Sequence, residues 1–352
     1  MSGTGGVMGE GFVHLRLHTE YSLLDSVVRV PELIDAVAAA GMPAVALTDQ
    51  VNLFAMIKFY RAALERGVQP IIGVDLMLRE PEESARPSRL TLLCQTLAGY
   101  RNLARLISRA YLSGQTATGG ALVERDWLTR ESVGGLIALS GAAEGDVGRA
   151  LLRERTAQAQ QALEQWLALF GDRYYMELQR LGRPEESSYL PAALELAARR
   201  GVPVVATNDV RFLRREDFES HEARVCIQEG TLLADASRPR RYSPQQYLRS
   251  PEEMRALFHD VPEALANSVQ IARRCSLVLK LGQPRLPDYP VPDGVTPNDY
   301  LRCQAEQGLA ARLTTTPAQA AERYRTRLTT ELEVICPMGF AGYYLIVADF
   351  IR

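Results

Sequence analysis

The chain has 352 residues, 47% of them hydrophobic and 23% charged, with a formal net charge of −2 at pH 7. That composition belongs to a folded chain of one large domain plus a smaller piece, or two domains, and its neutrality argues against a main grip on nucleic-acid phosphates. No apolar run reaches membrane-spanning length, and five scattered cysteines without a C-x-x-C pair exclude a disulfide frame or zinc ribbon, so a cytoplasmic protein with no membrane partner is expected.

Residues 1–11, "MSGTGGVMGEG", lack the basic start and apolar stretch of a signal peptide and read as a flexible leader. Their glycines precede a strand instead of following one, so they are no dinucleotide loop. Next comes "FVHLRLH" (12–18), in which Val13, Leu15 and Leu17 alternate with His14, Arg16 and His18. A regular strand would set the last three on one face. Two histidines so placed suggest metal ligands; an arginine between them does not.

Further strands are expected at 43–49, 70–78, 89–95, 135–141, 174–179 and 202–210. Amphipathic helical runs such as "PELIDAVAAAG" and "YLPAALELAARRG" lie between them, with Pro31 in a first turn and Gly closing several. Repeated strand–helix units predict an α/β barrel or a doubly wound sheet. Several strands end in polar groups: His18, Thr48-Asp49-Gln50, Asp75 and Asn208-Asp209-Val210-Arg211. Strand C-termini form the functional rim of β/α barrels, so these side chains are expected to converge there.

From about 212 the pattern is mostly helical, with a basic loop at 236–250. His221 and His259 read as surface or packing residues, and Arg238, Arg240, Arg241 and Arg249 as a solvated basic loop. His14 reads as a hydrogen-bonded structural histidine. The proline-dense 282–297 marks an extended connector. Helical segments follow, and the chain stops inside the apolar "AGYYLIVADFIR", which reads as a piece of a longer product.

The stretches "FVHLRLHTEYSLLDS", "GMPAVALTDQVNLFAMIKFY", "PIIGVDL", "VVATNDVRFL" and "SPEEMRALF" resemble the N-terminal region of the C-family replicative polymerases, the bacterial DNA polymerase III alpha subunits. The closing "ELEVICPMGFAGYYLIVADFI" is similar to the opening of their palm. The resemblance implies a PHP domain (polymerase and histidinol phosphatase), a distorted β/α barrel, over 12–275. A connector over 276–297 and the truncated start of a mostly helical palm over 298–352 would follow.

In active PHP domains the barrel rim binds divalent metals and hydrolyses phosphoesters. Carried onto this sequence, the family's ligand positions fall on Arg16, His18, Asp25, Gln50, Asp75, Arg89, Ala142, Asp209 and Arg211. His18, Asp25 and Asp209 match the pattern, Asp75 is a shortened acid, and the other five depart from it. Glutamine is a poor ligand, alanine none, and arginine stays protonated. Three carboxylates crowded together without metal would repel one another, and Arg16, Arg89 and Arg211 have the charge and shape to replace the ion. A structural salt-bridge cluster is therefore expected, with no metal and only His18 as a weak candidate ligand.

The resemblance implies template-directed DNA synthesis by the full-length protein, with Mg2+ held by palm aspartates beyond Arg352. No catalytic residue and no cofactor is expected in this chain. Implied partners are the proofreading exonuclease subunit, through the PHP domain, and other holoenzyme subunits and primer-template DNA through regions beyond it. Two alternatives compete with this reading: an active PHP phosphoesterase (a 3′–5′ exonuclease or pyrophosphatase), and an error-prone paralogue of the polymerase.

Overall fold

A computed structural model of the chain describes residues 11–23, 25–80, 86–117, 120–235, 237–283, 287–314 and 317–351. Residues 1–10 of the expected leader and 284–286 of the expected connector lie outside them. The chain divides into two compact units, the first ending at Leu279 and the second beginning at Lys280.

In the first unit α1 (Val30–Ala39) carries Pro31 in its first turn and buries Leu33, Ile34 and Val37, an i, i+1, i+4 stripe. Then follow β1 (Ala44–Leu47), α2 (Met56–Glu65), β2 (Gln69–Leu78), β3 (Ser88–Cys94), α3 (Leu97–Ser113), β4 (Leu136–Leu139), α4 (Asp146–Leu152), α5 (Thr156–Phe170), β5 (Tyr174–Gln179), α6 (Glu186–Arg200) and β6 (Val204–Thr207). Three helices complete the unit: α7 (Phe218–Glu229), α8 (Pro251–Leu257) and α9 (Pro262–Arg274). Each of the six strands overlaps one expected from the sequence.

The strands lie side by side in chain order. All neighbours are parallel except β3, which runs against both β2 and β4. Residues 79–87 between β2 and β3 are too few for the crossover that a parallel pair requires. The reversal brings the start of β3 to the same rim as the C-terminal ends of the other strands.

Residues 12–18 differ from expectation. They form no continuous strand and make two isolated bridges, His14 to Val45 of β1 and Leu17 to Val210 beyond β6. Ala46 and Thr48 donate backbone N–H groups to the carbonyls of His14 and Leu17 on one side. On the other side His18 N–H donates to the Val210 carbonyl at 3.0 Å, and Val210 N–H to that of Arg16 at 3.2 Å. The segment therefore links both edges of the sheet and completes a distorted barrel.

Serving two edges also breaks the expected alternation. Val13 and Leu15 enter one apolar cluster with Ala44, Ala46, Ile71, Leu93, Leu139, Tyr175 and Val205. Arg16 and His18 nonetheless reach side chains on the same face of β2 as Ile71. His14 turns elsewhere, its Nε2 lying 2.9 Å from the Arg249 carbonyl and its ring edge-on to Phe12. The three residues do not share one face.

Helix α9 adds Ile271 and Ala272 to this apolar layer, and its Ser268 hydroxyl accepts from Val13 N–H at 3.1 Å. The second unit comprises α10 (Pro297–Leu313), α11 (Ala318–Ile335) and α12 (Ala341–Ile351), gathered around Leu301, Leu332, Cys336, Ala341 and Leu345. Thr296 caps α10, its hydroxyl accepting from Asp299 N–H at 3.2 Å. Described residues between Cys275 and Thr296 lie in no helix or strand. Among the described residues no helix is long and apolar enough to cross a membrane.

Candidate functional site

Two to four residues along the strands from the apolar layer, the barrel interior becomes polar and charged. Ile71 gives way to Asp75, Tyr175 to Glu177, Val205 to Thr207 and Asp209, and, in reverse, Leu93 to Thr91 and Arg89. Burying carboxylates in this layer requires cations, since an unpaired buried charge is very costly.

Arg16 lies at the centre. Its guanidinium reaches Asp75 at 3.1 Å, Glu177 at 3.4 Å and Asp209 at 3.1 Å, with 1% of its side chain exposed. Asp75 Oδ2 also accepts from Arg89 at 2.5 Å, and its Oδ1 from the Thr91 hydroxyl at 3.1 Å. Arg211 pairs with Asp209 at 2.7 Å and with Asp25. His18 lies between Asp25, 2.9 Å from its Nδ1, and Asp75, 3.2 Å from its Nε2.

The structure thus brings together seven of the residues singled out from the sequence: Arg16, His18, Asp25, Asp75, Arg89, Asp209 and Arg211. Gln50 and Ala142 stay out of the ion pairs. Gln50 bridges Asp75 through its backbone and is half-buried; Ala142 is buried with φ of +49° at the start of a one-turn helix.

Burial alone would raise the carboxyls of Asp25 and Asp75. The guanidinium of Arg211 beside Asp25, and those of Arg16 and Arg89 beside Asp75, hold both well below the usual carboxylate range. Asp209 is likewise lowered against burial by Arg211 and Arg16. Glu177 goes the other way: burial raises it more than Arg16 lowers it.

Several participants have no signal in the sequence reading. Glu177 also accepts from the Thr207 hydroxyl at 2.5 Å and from Gln179 at 3.0 Å; a lone acid inside the apolar strand "YYMELQ" was the available hint. Glu144 meets Arg89 at 2.7 Å. Tyr242 donates to Asp25 at 2.5 Å and Gln246 to Asp209 at 2.7 Å, both from the irregular stretch after α7.

That stretch is only in part the solvated basic loop expected: Arg240 and Arg241 are exposed, whereas Arg238 is half-buried and Arg249 buried. Arg238 pairs with Glu222, Arg241 with Glu229, and Arg249 bonds to Gln245 and is mostly buried. His221 is buried against Tyr242 and bonds to the Asp25 carbonyl, so it packs and is not a surface residue; His259 is exposed. Above the ion pairs opens a cleft of about 1030 Å³, lined among others by Tyr21, Phe54, Arg89, Glu144, Arg183 and Tyr242. Among the described residues no three His, Cys, Asp or Glu side chains converge so as to hold a metal ion.

The PHP domain family matches residues 14–181, and the family described as bacterial DNA polymerase III alpha NTPase domain matches residues 299–352. A DNA polymerase III subunit alpha from Pseudomonas aeruginosa is 51% identical over 98% of this chain. Proteins of the same name from Escherichia coli K12 and Xylella fastidiosa Temecula1 are 49% and 48% identical over 97% of it. In each case this chain spans about 30% of the relative's own length.

Proposed function

This chain belongs to the bacterial DNA polymerase III alpha subunit family, and from that premise we propose that it is the N-terminal part of a replicative polymerase whose PHP metal site has become a structural ion-pair cluster. The full-length protein extends a primer on a DNA template within a multi-subunit holoenzyme. Palm aspartates beyond Arg352 would hold Mg2+, which would supply electrostatic stabilisation of the transferred phosphate. The PHP domain, over 12–275, serves as scaffold and as the docking surface for the proofreading exonuclease subunit. The stretch 298–352 opens the palm.

The observation that carries the degenerate site is Asp75, whose Oδ2 is held by Arg16 at 3.1 Å and Arg89 at 2.5 Å. A divalent ion there would need those carboxylate lone pairs and would meet guanidinium charge where its other ligands should be. The donor set does not fit a metal cluster.

Elemental analysis and calorimetry with manganese and zinc on the 352-residue chain test this. We expect no stoichiometric ion and no metal-dependent hydrolysis of single-stranded DNA or pyrophosphate. A bound ion together with hydrolysis abolished by His18→Ala would overturn the reading in favour of an active phosphoesterase. Docking is read separately, by titrating purified exonuclease subunit against the same chain.

A further inference from the structure

Helix α3, on the outer wall of the barrel, has a one-sided charge pattern. Of its 17 residues three are arginines and none is acidic. Leu103, Leu106, Ile107 and Ala110 bury one face, while Arg101, Arg105 and Arg109 are exposed. A spacing of four sets the three in a row, about 6 Å apart along the helix axis.

Like charges four residues apart oppose helix formation, so the fold draws nothing from this row. On α6 and α11 the comparable Arg199 and Arg327 meet glutamates four residues away, Glu195 and Glu331. Among the described residues no arginine of the α3 row meets a carboxylate; Arg105 bonds to Asn102, and Arg109 lies over Trp127.

Two of the three are nonetheless held in place. Arg105 donates to Asn102 Oδ1 at 3.3 Å, and the Asn102 amide is itself fixed, donating to the carbonyls of Glu131 and Gly134 at 3.0 Å each. The Arg109 guanidinium sits 4.3 Å from the centroid of the Trp127 ring. Neither partner is charged, so both arginines are positioned without being neutralised. The helix is a firm support: Thr96 caps it, accepting from Gly99 N–H at 3.2 Å, and a Cβ at Gly99 would lie 2.0 Å from the Gly135 carbonyl oxygen. The loop alongside adds the exposed Arg130 and two exposed acids, Asp126 and Glu131, which form no ion pair with the row among the described residues.

We propose that Arg101, Arg105 and Arg109 form a track for the sugar-phosphate backbone of DNA on the outside of the barrel. None of the three lines the cleft at its mouth. Negative charges that repeat along a strand suit cations that repeat along a helix, and guanidinium forks donate well to phosphate oxygens. Contacts of this kind carry no sequence information. In a chain of net charge −2 so short a row is a guide for DNA and not its main grip. No bond is made or broken. The inference does not depend on what fills the barrel mouth.

The test is fluorescence anisotropy of a short labelled DNA of mixed sequence, single-stranded or duplex, titrated with the 352-residue chain at several salt concentrations. Replacing all three, Arg101→Gln, Arg105→Gln and Arg109→Gln, should weaken binding at low salt by about tenfold. The slope of log affinity against log salt should become shallower by about 2–3, the sum of about 0.9 per lost phosphate contact on duplex or about 0.7 on a single strand. The form of DNA that loses more is the one the helix holds. Replacing Arg66 and Arg199, exposed but paired with Asp35 and Glu195, should leave both affinity and slope unchanged.

Unchanged binding in the triple variant would overturn the proposal, as would an equal loss in the paired control or no DNA binding by the unaltered chain at low salt. Should the triple variant fail to fold, Arg101→Gln alone decides. That side chain makes no hydrogen bond or ion pair among the described residues, and its loss should still reduce the slope by about 1; no reduction overturns the track. Intact DNA binding together with lost affinity for poly-glutamate would assign the row to an acidic protein and likewise overturn it.

Discussion

On α11 the pairs Arg325–Glu322 and Arg327–Glu331 lie on the helix surface about one turn apart, Arg325 with 63% of its side chain exposed. In the barrel mouth Arg16 meets Asp75, Glu177 and Asp209 with 1% exposed. The residue types are the same, but water solvates the first set and is excluded from the second. On α11 either partner loses little when the other is removed, because solvent takes its place. In the barrel every charge depends on its neighbours, and the cluster behaves as one unit.

The largest effect should come from removing its centre. Arg16→Met is expected to destabilise the first unit by about 3–5 kcal/mol, because three buried carboxylates lose a cation. Adding Glu177→Gln should recover part of that loss, since Arg16 is the cation that pairs with Glu177. Urea unfolding of the single and double variants measures both; a loss under about 1 kcal/mol would place Arg16 with the surface pairs.

Acidification should separate two steps. Burial, foremost, lowers His14 from 6.5 to about 4. A lowered folded-state value means the unfolded chain takes up the proton first, so His14 contributes fully above 6.5. That contribution falls as pH drops from 6.5 through about 4, by roughly 3 kcal/mol in all. The lowered values of Asp25, Asp75 and Asp209 act further down, their contribution being lost below the ordinary carboxylate range. Urea midpoints across pH should show both falls, and His14→Gln should flatten only the upper one.

Tyr242→Phe deletes the hydroxyl that donates to Asp25 and should cost about 1.5–3 kcal/mol, the range for hydrogen bonds to charged groups. Arg327→Ala on α11 should change stability by no more than about 0.5 kcal/mol. A cost there as large as that of Tyr242→Phe would erase the contrast between the two regions.

Much of this site could be read from the sequence, since strand ends with polar residues converge in any β/α barrel. His18, Asp75, Asp209 and Arg211 are legible that way, whereas Arg16, Asp25 and Arg89 come from the family resemblance, together with the charge logic that an arginine among carboxylates implies. Glu177 was missed because one acid in an apolar strand carries no motif, although its burial demanded a cation. Tyr242 and Gln246 come from a stretch without periodicity, so nothing local predicts where they reach. The alternation in 12–18 misled because it assumes one continuous ladder, whereas this segment bonds to two different edges.

That segment also dictates when the charges can be paired. Leu17 meets Val210, and Arg211 meets Asp25, contacts that join chain positions almost two hundred residues apart. Until β6 and the residues after it have been synthesised, Arg16 lacks Asp209 and Asp25 lacks Arg211. Ring closure of such long range is slow, because a large loop must be ordered before any contact rewards it. A nascent chain halted before residue 204 should therefore carry a half-neutralised, water-accessible mouth, so that the charge cluster registers whether synthesis has passed the last strand.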